Sequence, residues 1–266
     1  KLNAHRHMSA QARAGLRLGG GAHNKCPGRG LSEICAVSSN ALDAPSTETL
    51  FRAKIMNFQE VNDRLHGQAP EVAARFALSV ADGQAIVSTH FGPYEAAILH
   101  LCSRLQPDMP VIWVDSGYNT ASTYRFAAQI TARLGLQVHI YTPARTRAYR
   151  DAVLGGIPDL DDAEALRVFT DEVKLEPFRR ALATHKPRVW LTALRKEQTE
   201  FRKQLDIVTQ DPGGPIKVCP FFEATEADMK AYLAAHDLPD EPDYYDPTKV
   251  LSNRECGLHP DFFKKK

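Results

Sequence analysis

The sequence predicts an α/β fold, a doubly wound and mostly parallel sheet with helices on both faces. Three observations carry this expectation. Short apolar runs of strand length alternate with longer stretches whose apolar residues recur at helical spacing. Proline opens two of the helical stretches and glycine closes a third. The alternation runs through the body without an internal repeat, which implies crossover units and a sheet covered on both sides.

The elements follow in order. "TLFRAKIMNFQEVNDRL" and "PEVAARFALSVA" have helical periodicity, and Pro70 takes a first-turn position in the second. "AIVS" (85–88) is a short buried strand that runs into "THFG". "PYEAAILHLCSRL" is the helix after it, again opened by proline. "VIWVDSG" (111–117) is a second strand, and "TASTYRFAAQITARLG" is its helix, stopped at Gly135. "VHIYTP" (138–143) and "RVWLTAL" (188–194) are the third and fourth strands. In such sheets ligands bind beyond the carboxyl ends of the strands. "STHFG", "DSGYN", "TPART" and "ALRKEQ" are therefore the loops in which to seek a site.

Composition narrows the function classes. The chain has 266 residues, 43% of them hydrophobic, enough for one sizeable core. A net charge of +1 supplies no global field for nucleic acid. No apolar run is long enough for a membrane span. Cysteines 26, 35, 102, 219 and 256 are odd in number and widely spaced, which disfavours a disulfide framework or a closed zinc site. Residues 1–45 differ from the rest. They are rich in Arg, Ser, Ala and Gly, and Glu33 is their first acidic residue. That character suits an organelle transit peptide, in which case the protein belongs in the plastid. A vector leader or a plain disordered N-terminus is the alternative, and then the cytoplasm is expected. The expected organisation is a leader (1–45), an α/β body (46–250) and a C-terminal tail (251–266).

Several stretches bear chemistry. Ser88, Thr89 and Gly92 lie between a strand and a helix start, where free N–H groups and the helix dipole suit an anion or nucleotide. An ordinary strand-to-helix turn is the alternative; neither a Walker loop nor a dinucleotide fingerprint is present. "LTALRKEQTEFRK" places Arg195, Lys196, Arg202 and Lys203 after a buried strand, and arginine forks match sulfate and phosphate oxygens. Its position at the strand end favours Arg195 over Lys203, for which a solvated helix face is the simpler reading. Lys174, in "VKLEPFRRAL", reads by itself as a surface lysine. "ECGLH" carries Cys256 with His259 three residues on. A nucleophilic thiol needs access and a cationic neighbour. A zinc reading lacks a second ligand pair, and an incidental thiol stays open on spacing alone.

Taken together and in this order, "VIWVDSGY", "VKLEPFRRAL", "VWLTALRKEQTEFR" and "ECGLH" resemble the assimilatory sulfonucleotide reductases, over about residues 55 to 260. The resemblance implies the fold of the adenine nucleotide alpha hydrolases. It implies attack by the thiolate of Cys256 on the sulfur of a nucleotide phosphosulfate, leaving an S-sulfocysteine. Sulfite is then released by thioredoxin, by glutaredoxin or by glutathione, so an external thiol reductant is required. It further implies that Ser88, Thr89 and Gly92 form the modified pyrophosphatase-type loop and that Lys174 and Arg195 hold the phosphosulfate, with Lys196 and Arg202 as extensions. His259 supports the tail or the thiolate, and Asp115 and Gly117 lie near the adenosine. A homodimer is compatible with the resemblance.

The chain departs from the family in two informative ways. Many members bind an iron–sulfur cluster on a Cys-Cys pair and a later Cys-x-x-Cys. Neither occurs here, so no cluster and no other metal is expected. "DYYDPTKV" and "LSNRECGLH" abut, where the family has a few dozen intervening residues. The basic leader favours adenosine 5′-phosphosulfate as substrate, and the missing cluster motif favours its 3′-phosphorylated form; the expectation leans to the former. Two other functions compete. An ATP-using adenylyl transferase would need a Gly-Gly-x-Asp-Ser loop that "STHFGPYEA" lacks. A non-catalytic nucleotide sensor would keep the arginines and could dispense with Cys256.

Overall fold

The structure is a computed structural model that describes residues 56–159 and 161–249. Cys256 and His259 therefore lie outside the described residues, as do the leader and the start of the first expected helix.

The chain enters through α1 (Phe58–Leu65), capped by the Asn57 side chain, which accepts from Gln59 N at 3.1 Å. Next comes α2 (Pro70–Ala81), with proline in its first turn. It leads to β1 (Ala85–Thr89), α3 (Glu95–Leu105), β2 (Pro110–Val114), α4 (Ala121–Leu134) and β3 (Gln137–Tyr141). Thr120 caps α4, and Gly135 ends it in the left-handed region at φ 64°, as its position in the sequence suggests. Two further helices, α5 (Arg147–Val153) and α6 (Ala163–Thr170), follow β3. A π turn (Asp171–Leu175) joins α6 without a break to α7 (Glu176–His185). Pro177 lacks the N–H that an α-helical ladder would demand there, so a widened turn before it is the physical reason for the π geometry. Pro177 takes a first-turn position in α7.

After α7 come β4 (Val189–Leu191), β5 (Val208–Gln210), β6 (Ile216–Val218) and α8 (Glu226–Ala235). The six strands are ordered β3-β2-β1-β4-β6-β5. All neighbouring pairs are parallel except β5 with β6. The sheet grows outward from β1 to β3 and then returns to place β4 on the other side of β1. This reversal opens a crevice at the carboxyl ends of β1 and β4.

Residue alternation sorts the two faces. Ala85, Val87, Val111, Trp113, Val189 and Leu191 join the larger core, which also includes buried residues of α2, α3, α4 and α8. Ile86, Ile112 and Trp190 point the other way and pack on Phe178 and Ala181 of α7. The central strands β1, β2 and β4 are thus covered on both sides, which explains why they read as unbroken apolar runs, whereas the edge strand β3 is largely exposed. The edge strand β5 is closed by a side chain. Asn62 of α1 is buried, donates to Val208 O at 3.0 Å and accepts from Val208 N at 2.8 Å. One amide thereby does what another strand would do for an exposed edge. Replacing it by Ala leaves both backbone groups of Val208 buried without these partners. Asn62→Ala is expected to lower unfolding free energy by about 2–3 kcal/mol, read from the midpoint of urea denaturation.

Candidate functional site

At the crevice between β1 and β4 lies a cavity of ≈ 210 Å³. Its inner wall is apolar, formed by Ile112, Val114, Phe178 and Trp190. Four cations, Lys174, Arg195, Arg202 and Lys249, also line it. Ser88 and Thr89 line it as well. The Ser88 hydroxyl is held by Trp190, whose indole Nε1 donates to it at 2.8 Å. Pairing an apolar slot with convergent cations suits a flat ring that carries an anionic group.

The loop after β1 is organised by Glu95, in the first turn of α3. Its carboxylate is buried and accepts from Thr89 Oγ1 at 2.6 Å and His90 N at 2.7 Å, with His90 Nδ1 at 2.5 Å. Burial pushes the Glu95 carboxyl up, but His90 beside it and the bonds from His90 and Thr89 hold it below its ordinary value. Phe91 N donates to Thr89 Oγ1 at 2.9 Å, and Tyr94 N donates to Asp240 Oδ1 at 2.7 Å. Several N–H groups that the sequence reading offered to an anion are therefore occupied within the protein. Gly92 is needed for close approach, since a Cβ there would lie 2.6 Å from His90 Nε2 and 3.0 Å from Tyr244 Cγ. The His90 and Tyr244 rings meet beside it, tilted by 50° with centroids 4.4 Å apart.

Arg195 and Arg202 reach the pocket from the segment after β4 and are both buried. Two short 3₁₀ turns, Lys196–Gln198 and Arg202–Gln204, place them. Arg195 pairs with Glu197 and lies over the Tyr94 ring, 5.3 Å from its centroid. The guanidinium of Arg202 donates to Gln198 Oε1, which also accepts from Arg195 N at 3.0 Å, so Gln198 bridges the two arginines. Lys174 arrives from the π turn, with Nζ 2.6 Å from Asp246 Oδ2.

Other expected site residues lie elsewhere. Lys196 does not line the cavity: its Nζ lies 3.2 Å from Glu223, and it begins the 3₁₀ turn that follows the extended Arg195. Asp115 does not line the cavity either. Its Oδ1 accepts from Gly117 N at 2.9 Å, Asn119 Nδ2 at 2.9 Å and Tyr124 OH at 2.8 Å, so it braces the loop after β2. Gly117 allows that turn at φ +82°, and a Cβ there would sit 3.3 Å from Arg147 Cβ. Lys203 is exposed and pairs with Glu200 at 2.7 Å, as a solvated face requires.

Sequence reasoning missed His90, Glu95, Gln198, Asp246 and Lys249. Only Glu95 carried a local signal, an acid in the first turn of a helix. The two described cysteines, Cys102 and Cys219, are buried, and burial pushes each thiol up to about 12. They are protonated at neutral pH and unsuited to attack or to metal binding. Among the described residues no three His, Cys, Asp or Glu side chains stand close enough to hold a metal. The cysteines present do not fit a four-thiolate cluster.

Known proteins resemble this chain in sequence and in fold. The family described as "Phosphoadenosine phosphosulfate reductase domain" matches residues 84–246. A phosphoadenosine 5′-phosphosulfate reductase of a Synechococcus species is 34% identical over 190 residues, which is 71% of this chain and 82% of the relative. That of Thiocapsa roseopersicina is 30% identical over 240 residues, 82% of this chain and all (100%) of the relative. The crystal structure of phosphoadenylyl-sulfate reductase from Candida auris, in its phosphate complex, superposes with a TM-score of 0.58 at 22% identity. The match covers 69% of this chain and 87% of that one and supports the fold. The chain belongs to the phosphoadenosine phosphosulfate reductase family.

Proposed function

We propose that the chain reduces 3′-phosphoadenosine 5′-phosphosulfate to sulfite and adenosine 3′,5′-bisphosphate, with Cys256 as nucleophile. One observation carries the reading: Lys174, Arg195, Arg202 and Lys249 line one pocket together with the apolar Ile112, Val114, Phe178 and Trp190 at the sheet's switch point. Adenine fits the slot, and the phosphosulfate fits the cations. The names of the related reductases favour the 3′-phosphorylated nucleotide over the adenosine 5′-phosphosulfate suggested by the basic N-terminal stretch.

The reaction balances as two displacements. The Cys256 thiolate attacks the sulfur, a sulfur–sulfur bond forms, and the sulfur–oxygen bond to the 5′-phosphate breaks. The bisphosphate leaves, its developing charge met by the arginines. A dithiol of the thioredoxin or glutaredoxin type, or glutathione, then attacks Cys256 Sγ. Sulfite departs, and the mixed disulfide is resolved by a second thiol, which leaves the reductant oxidised and Cys256 reduced. Burial pushes the thiols of Cys102 and Cys219 up to about 12, which disfavours both as nucleophiles and supports the choice of Cys256.

The test combines substrate choice with adduct detection. Unaltered protein, given either sulfonucleotide with thioredoxin, is expected to release sulfite faster from the 3′-phosphorylated form at low concentration. Faster release from adenosine 5′-phosphosulfate would reverse the choice of nucleotide. Cys256→Ser is expected to bind nucleotide but to acquire no sulfo-adduct by mass spectrometry. An adduct on that variant would remove Cys256 from the mechanism.

The arginines give a graded expectation. Arg195→Ala loses a charge-assisted fork and should raise the nucleotide dissociation constant by roughly 10- to 150-fold, measured by titration calorimetry. Lys203→Ala removes only an exposed pair and should change it by less than about twofold.

A further inference from the structure

The segment 240–249 runs as a strap past the carboxyl ends of the strands and is rich in acids, with Asp240, Glu241, Asp243 and Asp246. Its first half is tied down at helix starts. Asp240 Oδ1 accepts from Tyr94 N at 2.7 Å, and Glu241 Oε2 accepts from Ser122 Oγ in the first turn of α4 at 2.9 Å. Asp243 O accepts from Thr120 Oγ1 at 3.1 Å. Tyr244 then meets His90 beside the cavity.

The second half reaches the cations through Asp246. Its two oxygens have separate tasks. Oδ1 accepts from Thr248 N at 2.9 Å and Thr248 Oγ1 at 2.6 Å, which closes a local turn. Oδ2 accepts from Lys174 Nζ at 2.6 Å. The carboxylate side chain is 7% exposed and the lysine side chain 14%. One anionic oxygen of the protein thus pairs with Lys174, which also lies 3.4 Å from Thr248 Oγ1, and competes for its charge with any anionic ligand in the cavity.

We propose that Asp246 is a latch: its carboxylate occupies Lys174 in the ligand-free protein and is displaced when a sulfonucleotide binds, freeing the second half of the strap. This rests on the function proposed above. The exchange replaces one anion on Lys174 by another, so no buried cation is left alone at either end of it. It lowers apparent affinity in proportion to the latched fraction. It also connects nucleotide binding to the strap that continues in sequence toward Cys256.

Asp246→Asn separates the two tasks of the side chain. The amide oxygen can still accept from Thr248 N and keep the local turn, while the amide nitrogen and the lost charge no longer hold Lys174. The variant is expected to bind 3′-phosphoadenosine 5′-phosphosulfate roughly tenfold more tightly or better, measured by calorimetry in the Cys256→Ser background to prevent turnover. Unchanged or weaker binding overturns the latch, since a residue that only positions Lys174 for substrate would act in that direction. A second measurement uses the unaltered strap. Saturation of Cys256→Ser with the nucleotide should speed amide exchange at Thr248, whose N–H the Asp246 side chain accepts, and slower or unchanged exchange overturns the latch even if Asp246→Asn does not fold. If Cys256→Ser binds neither sulfonucleotide, the proposed function fails and the latch with it. If it binds while both latch measurements fail, the latch alone is wrong.

Discussion

A buried carboxylate governs the floor of the site. Glu95 sits in the first turn of α3 with a few per cent of its surface exposed, and a charge in that position is tolerable only when its oxygens are bonded. They are met by Thr89, by the backbone of His90 and by the His90 ring. These bonds fix the path of residues 89–92 and hold Phe91 at φ 54°, a left-handed conformation rare for an aromatic residue. Phe91 is thereby driven into the core, where it meets Trp113 edge-on at 4.9 Å and Phe126 at 6.5 Å. The same short loop is anchored in the hydrophobic core on one side and borders the cavity on the other.

The cavity depends on a second constraint, the burial of cations. Arg195 and Arg202 are nearly inaccessible, and Lys174 is mostly so. Gln198 bridges the arginines, Glu197 pairs with one of them, and Asp246 faces Lys174. Burial pushes the Asp246 carboxyl up, but Lys174 and Thr248 overcome it and hold the group well below the usual carboxylate range. A cluster of this kind is preorganised for anions, because the protein has already met most of the cost of bringing the positive groups together. The π turn belongs to this arrangement. By widening the helix just before Pro177 it sets Lys174 at the crevice, while Phe178 and Ala181 of the following helix stay packed on the sheet.

The elements legible in the sequence are those with strong local signals. Residues 70–81 form the expected helix, and 121–134 follow a Thr cap and end at Gly135, because periodicity and caps act within a few residues. The strands at 85–89 and 110–114 are legible because a sheet covered on both faces demands continuous apolar runs. The helix expected from Pro93 begins only at Glu95, since Tyr94 takes a left-handed turn whose N–H is met by distant Asp240. The strands at 208–210 and 216–218, three residues each, are too short for a period to register.

For the site, the sequence by itself determined the fold class and the cationic character of the segment after β4, because charge is a local property; of the four loops it offered, those after β1 and β4 line the pocket and those after β2 and β3 do not. Arg195 and Arg202 line the cavity, but in the sequence Lys196 and Arg202 had equal standing as extensions of Arg195, and Lys196 turns toward Glu223. Tertiary structure alone decided between Lys196 and Arg202, since the direction of a side chain is set by what packs around it. It also decided that Asp115 braces a loop and does not line the pocket, and that the carboxylate facing Lys174 comes from a residue 72 positions along the chain. Such pairings arise where the folded backbone brings remote segments within hydrogen-bonding distance, and no short window of sequence contains both partners.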